Sequence, residues 1–234
     1  MNMSRRETIQ SATAIAALSV AAFRATPAGA AQAAQPVPDN LVPTALRVIA
    51  DLPLRPDGSA VEYPPEQAGP IAGRPFWKTQ GTPDIEHDFR KMKVRLDGRG
   101  TTTLSGTLTA SDLEKLPRHT QITLLQCGAP TPRGIVKWTG VRFSDFAQSI
   151  GAQKFANFAR FTCADDYYLD EDVNTLMHPQ VMLAWMMNDA PLAPEYGAPM
   201  RLIVPFRYGA RSVKAITSIQ FTATSFPPQK GWAA

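Results

Sequence analysis

The sequence predicts an α+β domain of mixed β-sheets and short helices, and three observations carry that prediction. Short apolar or alternating runs outnumber helical patterns along the 234 residues. They do not follow the regular strand, helix, strand alternation of a dinucleotide-binding fold. No GxGxxG or Walker A phosphate loop is present. Composition agrees: 44% hydrophobic and 19% charged residues make a globular mixture, which excludes disordered, collagenous and coiled-coil classes. Two cysteines, Cys127 and Cys163, exclude a disulfide-dense scaffold. His87, His119 and His178 are scattered without zinc or c-type haem spacing.

At the N-terminus, Ser4-Arg5-Arg6-Glu7-Thr8-Ile9-Gln10 precedes a mildly apolar stretch, Ala12 to Phe23. Ala28-Gly29-Ala30 and Ala31-Gln32-Ala33 then offer small residues for cleavage. Charge, apolar run and cleavage site in that order read as a twin-arginine-like signal peptide over residues 1–33, and hence as a periplasmic protein exported folded. The apolar stretch falls short of the roughly 20 residues a membrane span needs, so no span is expected once the signal is removed. Arg5, Arg6 and Arg24 set against Glu7 account for half of the +4 formal charge. The remaining Lys and Arg are interspersed with acids, which excludes the concentrated basic face of a nucleic-acid partner.

Residues 34–75 read as an extended Pro-rich arm wrapping the body, with turn signals at Asp57-Gly58, Pro64-Pro65 and Gly69-Pro70 and only Thr44 to Leu52 able to form an element. The main domain is expected over 76–234. Lys91 to Leu96 alternates charged and apolar residues as a half-buried strand, ended by the hairpin-like turn Asp97-Gly98. Ser111-Asp112-Leu113-Glu114 opens a short helix with a capping-box pattern that Pro117 stops. Gln121 to Gln126 is an apolar strand that delivers Cys127 to a loop. Phe143 to Ile150 places Phe143, Phe146, Ala147 and Ile150 on one helical face, with Ser144 as the expected cap. Asn157 to Cys163, Gln180 to Met187, Arg201 to Phe206 and Ile216 to Thr224 complete the expected strands, and Asn188-Asp189 turns the second of these back. The acids Asp165, Asp166, Asp170, Glu171 and Asp172 read as a solvated loop.

Cys127 is the candidate reactive residue. It leaves a strand and enters Gly128-Ala129-Pro130-Thr131-Pro132-Arg133-Gly134, whose prolines and glycines hold a loop open to a bulky group. A thiolate there suits a metal ligand, a nucleophile or a redox thiol, and residue chemistry alone leaves the three open.

Further residues choose among them. Trp138 with Gly140-Val141, Met177-His178-Pro179-Gln180-Val181-Met182-Leu183-Ala184, Asn188, Pro191-Leu192, Gly197 to Pro205, Tyr208-Gly209 and Ser212-Val213-Lys214 resemble, in order, the molybdopterin domain of the sulfite oxidase family. The resemblance covers about residues 70–225 and is strongest from Tyr167 to Phe221. It implies the sulfite oxidase-type molybdopterin-binding fold and a mononuclear molybdenum held by molybdopterin and by Cys127. Arg201, Lys214, Ser212 and Val213 match positions that hold the pterin. Tyr196 stands where the family has a histidine or asparagine, and Cys163 aligns with a pterin-contacting position. Phe76 to Pro83 corresponds to the family's early cofactor and substrate loop, making Lys78, Thr79 and Gln80 cofactor-binding candidates. Tyr167 matches a tyrosine near the oxo group.

Two departures bear on the substrate. Sulfite oxidases place arginine, asparagine and histidine where Thr79, Gln80 and Gly81 stand, and the loop after Cys127 lacks their Asn-Arg pair, with Arg133 the nearest replacement anchor. A sulfite dianion needs fixed positive charge. The expectation is therefore oxygen-atom transfer from a neutral S-oxide or N-oxide, small or protein-bound. Sulfite oxidation anchored by Arg133 and a non-catalytic binding or assembly role are the alternatives. The chain resembles the short periplasmic branch of the family, which includes the catalytic subunits of methionine sulfoxide reductases. That implies electrons from a separate haem or cytochrome partner.

Overall fold

A computed structural model describes residues 51–227. The expected signal peptide, the first part of the arm and nearly all of Thr44 to Leu52 lie outside the described residues. In chain order the elements are β1 (Val94–Asp97), β2 (Gly106–Leu108), α1 (Ala110–Glu114), β3 (Arg118–Gln126), β4 (Arg133–Arg142), α2 (Phe143–Ser149), β5 (Phe158–Cys163), β6 (Tyr168–Asp172), α3 (Val173–Leu176), β7 (Met182–Met187), β8 (Ala190–Pro191), β9 (Arg201–Ile203) and β10 (Ile216–Thr222). Short 3₁₀ turns at Pro194–Tyr196 and Gly209–Arg211 flank β9. This is the expected α+β organisation with short helices.

The strands form two five-stranded sheets. The first runs β2-β1-β10-β5-β6 and is mixed, with β1 and β10 parallel and the other neighbours antiparallel. The second is antiparallel, β3-β4-β7 with both β8 and β9 on the far side of β7. The main core contains Val94, Leu96, Phe161, Ile219 and Phe221 from the first sheet, Val141, Leu183 and Leu202 from the second, and the apolar face of α2. Phe143 is its hub, with Phe146, Phe161 and Phe221 at centroid distances of 5.6, 5.9 and 6.1 Å. Each fully buried ring of this kind contributes about 1.5–3 kcal/mol. A second cluster, including Trp138, Met182, Ala184 and Ile203, covers the other face of the second sheet. β7 is therefore buried on both faces, which is why its sequence is an unbroken apolar run.

Several local expectations are corrected. The cap of α1 is Thr109, whose N–H donates to Asp112 Oδ2 at 3.0 Å, and Ser111 lies inside the helix. α2 begins after Arg142 without a side-chain cap. Phe143 N–H donates to Val181 O at 2.9 Å, so a neighbouring segment sets that helix start and Ser144 does not. Asp97-Gly98 is not a tight hairpin, because residues 98–105 join β1 to β2 and Gly98 N–H donates to Ser105 Oγ. β4, which the sequence pattern does not predict, pairs with β3 from Gln126↔Arg133 to Arg118↔Val141.

The acidic segment is not a solvated loop. Asp170 lies opposite Arg160 in the β5–β6 ladder and accepts two hydrogen bonds of 2.6 Å from it. Tyr168 and Phe226 each hold a ring 4.6 Å from the same guanidinium. Asp172 caps α3 by accepting Thr175 N–H at 2.7 Å. Asp165 and Glu171 are buried. Strand pairing brings Arg160 to Asp170, while Asp172 is served by Thr175 three residues on and Asp166 is exposed.

Residues 60–75 run against the second sheet. Tyr63 N–H donates to Ile122 O, and Ala72 and Arg133 exchange backbone bonds of 2.8 and 3.0 Å. The buried Gln180 side chain donates to Ala60 O at 3.0 Å and accepts Ala60 N–H at 2.9 Å. These attachments lead the chain to Pro75 and Phe76, at the mouth of the cavity described next.

Candidate functional site

The β3–β4 hairpin presents Cys127. Its N–H donates to Pro132 O at 3.0 Å, closing the base of the loop. Gln126, buried at the strand end, turns its amide into that loop and donates to Cys127 O at 3.0 Å and Ala129 O at 3.1 Å. The thiol is free and half-buried. It opens into a cavity of about 230 Å³, open to solvent, whose lining includes Cys163, Tyr167, Arg201, Ser212, Val213 and Lys214. Residues from both sheets and four loops thus converge on one space.

Arg201 is 2% exposed and has no carboxylate partner among the described residues. Nη1 donates to Tyr196 O at 2.9 Å, Nη2 donates to Ser212 O at 2.8 Å, and Nε has no partner. The guanidinium lies over the Trp138 ring at 4.9 Å. Burial draws its pKa down to about 10. A buried cation with an unsatisfied donor is costly unless an anion compensates it. Lys214 stands beside it, with Nζ 3.7 Å from the Trp77 ring centroid and donating to Phe76 O. Burial first, and then the charge of Arg201, lower the Lys214 pKa to about 8. Gly197, at φ 106°, admits this lysine, since a Cβ there would stand 2.6 Å from Lys214 Cβ.

Cys163 ends β5 and its N–H donates to Tyr167 O at 2.8 Å. Burial, with a smaller effect from Asp165, pushes its thiol up to about 12, so it remains protonated. The half-buried Tyr167 phenol donates to Ala210 O at 3.2 Å, and burial raises its pKa. Between these two, Asp165 lines the same cavity, a role that its sequence context as one acid of five does not suggest. Its carboxylate accepts Tyr167 N–H at 3.2 Å and Lys78 N–H at 2.9 Å, joining the Cys163 turn to the Phe76 loop. Its position between Cys163 and Tyr167 is the signal that could have found it.

Other candidates fall differently. Gln80 and Tyr196 line a second cavity of about 600 Å³, which shares Pro75 and Phe76 with the first. The buried Trp77 Nε1 there has no hydrogen-bond partner. Lys78 uses its backbone for Asp165 and Nζ for Asp166 O. Thr79 is exposed and donates to Gly81 O, lining neither cavity. Ser212 N–H is committed to Gly209 O, and its hydroxyl accepts Val204 N–H. Arg133 is exposed at the start of β4, outside both linings.

The arrangement fits a soft metal on Cys127 and an anionic group at Arg201 and Lys214. Among the described residues no cluster of three His, Cys, Asp or Glu side chains is placed to hold a metal. The half-buried Cys127 thiol is a soft donor at the cavity wall. With the bound group removed, sulfate affinity is expected to fall about tenfold per pH unit above pH 8 as Lys214 deprotonates. Isothermal titration between about pH 6.5 and 9.5 checks this, and Lys214→Met is expected to flatten the profile.

The sequence profile of the oxidoreductase molybdopterin binding domain matches residues 80–230. A protein of Azospira oryzae named as putative protein-methionine-sulfoxide reductase subunit YedZ1 is 32% identical over 171 residues, covering 70% of this chain and 64% of that protein. The protein-methionine-sulfoxide reductase catalytic subunit MsrP of Campylobacter jejuni is 28% identical over 165 residues, covering 63% of this chain and 54% of its own length. The chain thus spans about half to two thirds of these relatives. The sulfane dehydrogenase SoxCD of Paracoccus pantotrophus shares the fold, with a TM-score of 0.56 at 20% identity, over 76% of this chain and 50% of that one.

Proposed function

The chain belongs to the oxidoreductase molybdopterin binding domain family, and on that premise we propose that it is the catalytic subunit of a periplasmic enzyme reducing a neutral S-oxide or N-oxide. Bound molybdopterin supplies a two-electron molybdenum centre for oxygen-atom exchange. The residues present fit that group. Cys127 is the thiolate ligand, and Arg201 with Lys214 meets the phosphate oxygens, which would supply the acceptor that Arg201 Nε lacks. Gln80, Tyr196 and Trp77 edge the second cavity and suit the polar rim of a flat heterocycle.

The observation that carries the substrate class is the charge around Cys127. Among the described residues, Arg201 and Lys214 are the only cationic side chains lining that cavity, and both are assigned to the phosphate. The remaining charged group is the Asp165 carboxylate, beside Tyr167. A carboxylate in a partly desolvated wall repels a sulfite dianion and leaves a neutral oxide unaffected. Tyr167 Oη keeps its proton, because burial raises its pKa, so the phenol serves as a hydrogen-bond donor to a substrate oxygen and not as a base. In net terms, one oxide, two protons and two electrons give the reduced product and one water. The electrons come from a separate haem or cytochrome protein. Export rests on Arg5-Arg6 and the small-residue cleavage sites.

The test uses protein purified from the periplasm of a molybdopterin-competent host. Reduced-dye assays with sulfoxides and N-oxides are run beside sulfite-dependent cytochrome reduction. A kcat/KM for a neutral oxide at least about a hundredfold above that for sulfite is expected. Sulfite turnover without oxide reduction overturns the direction. Folded protein free of molybdenum overturns the enzyme assignment in favour of a binding or assembly role.

A further inference from the structure

The 3₁₀ turn Gly209–Arg211 forms one wall of the Cys127 cavity, and each of its residues makes a different contact. Gly209 lies against the Cys127 loop: a Cβ there would stand 3.4 Å from Gln126 O and 3.7 Å from Cys127 Cα. Ala210 O accepts the Tyr167 phenol at 3.2 Å. Arg211 Nη2 reaches Glu171 Oε2 at 2.9 Å, a charge contact without the alignment of a hydrogen bond. Glu171 lies on β6, two pairs along the β5–β6 ladder from Leu169, and its side chain is 7% exposed. Its other oxygen accepts Asp172 N–H at 3.3 Å.

We propose that Glu171 and Arg211 are a positioning pair, which sets the Tyr167 phenol relative to Cys127 by fixing the turn that touches both. The proposal rests on the function given above for Tyr167. Three facts favour it over a simple surface ion pair. Arg211 is the last residue of a three-residue turn, and such a turn has little hydrogen bonding of its own to hold it rigid. Its partner is a buried carboxylate on a sheet strand, which transmits a fixed position as a solvated side chain cannot. Tyr167 immediately precedes β6, so the strand grips the turn at two points, through the phenol and through Glu171. The charge of Arg211 also reaches the phenol, opposing the larger upward effect of burial on its pKa. Loss of Arg211 would free the turn, and the phenol would lose the acceptor that orients it. Glu171 and Arg211 themselves touch neither substrate nor metal ligand.

The test is a double-mutant cycle in the loaded enzyme with Arg211→Met and Tyr167→Phe. Arg211→Met is expected to lower kcat about tenfold with KM within about twofold and molybdenum per chain unchanged. In the Tyr167→Phe background the same substitution is expected to have no further effect, and Arg211→Lys should restore most of kcat. A second readout needs no turnover. In cofactor-free protein, amide exchange at 209–212 is expected to accelerate about tenfold in Arg211→Met and in Glu171→Gln, with β5 and β10 unchanged. Additive losses in the cycle, or unaltered exchange in the turn, overturn the proposal. A wild-type protein without oxide reductase activity overturns the function instead, and exchange then still decides whether the pair holds the turn.

Discussion

Cys127→Ser is expected to yield a folded protein that carries almost no molybdenum and shows no turnover. The two bonds that shape the loop use the Cys127 backbone, N–H to Pro132 O and O from Gln126 Nε2, so neither depends on sulfur. A serine hydroxyl is a hard, weakly acidic donor and a poor replacement for a thiolate on molybdenum. At least about a tenfold fall in metal per chain is expected by elemental analysis. The cofactor-free variant should melt at the temperature of cofactor-free wild type. Cys163→Ser is the internal contrast. That thiol is buried and pushed up to about 12, which keeps it from acting as a thiolate, so metal content should persist. Stoichiometric molybdenum in Cys127→Ser, or loss of metal in Cys163→Ser alone, sinks the ligand assignment.

The largest effect on the fold is expected from Gly140→Ala. Gly140 sits on β4 at a register shift, where β7 passes so close that a Cβ would stand 1.9 Å from Leu183 O and 2.7 Å from Ala184 Cα. Those are backbone atoms of a strand packed on both faces, and no side-chain rotation relieves the overlap. β4 and β7 would have to separate, disturbing the main core at Leu183 and the second cluster at Ala184. A loss of about 3 kcal/mol or more is expected, with a melting temperature lower by about 10 °C. Gly128→Ala is the contrast, since no atom lies within 4 Å of its added Cβ. Thermal unfolding decides the matter, and a shift below about 2 °C for Gly140→Ala would show that the strands can part cheaply.

Legibility in the sequence follows how local each signal is. The strand leading to Cys127 is readable because an apolar run meets a Pro/Gly loop within about a dozen residues. β4 is not, because Gly134, Lys137 and Gly140 interrupt its apolar pattern. The physical reason for the two glycines lies elsewhere in the chain. Gly140 answers to the approach of β7, and Gly134 to the backbone of Ile71, whose Cα would stand 3.0 Å from an added Cβ. β6 is hidden by its acids, whose partners Arg160 and Arg211 are brought in by the fold and not by sequence proximity. Arg201 and Lys214 stand out only through family resemblance; alone, each reads as a solvated cation. The structure adds the unshared charge of Arg201, which no periodicity reveals. Asp165 is one acid among five in the sequence, although its neighbours Cys163 and Tyr167 both stand out.

The order of the first sheet also governs how the molecule is made. β10, the last strand among the described residues, occupies the centre of that sheet, parallel to β1 on one side and antiparallel to β5 on the other. Arg95 pairs with Ser218, far later in the chain. Until β10 has been synthesised, β1–β2 and β5–β6 are two separate ribbons with open edges facing an empty slot. Loop-closure entropy must be met before that slot fills, a topology associated with slow folding. Such a chain is exposed to edge-to-edge aggregation while it grows, and completes this sheet only once β10 has left the ribosome.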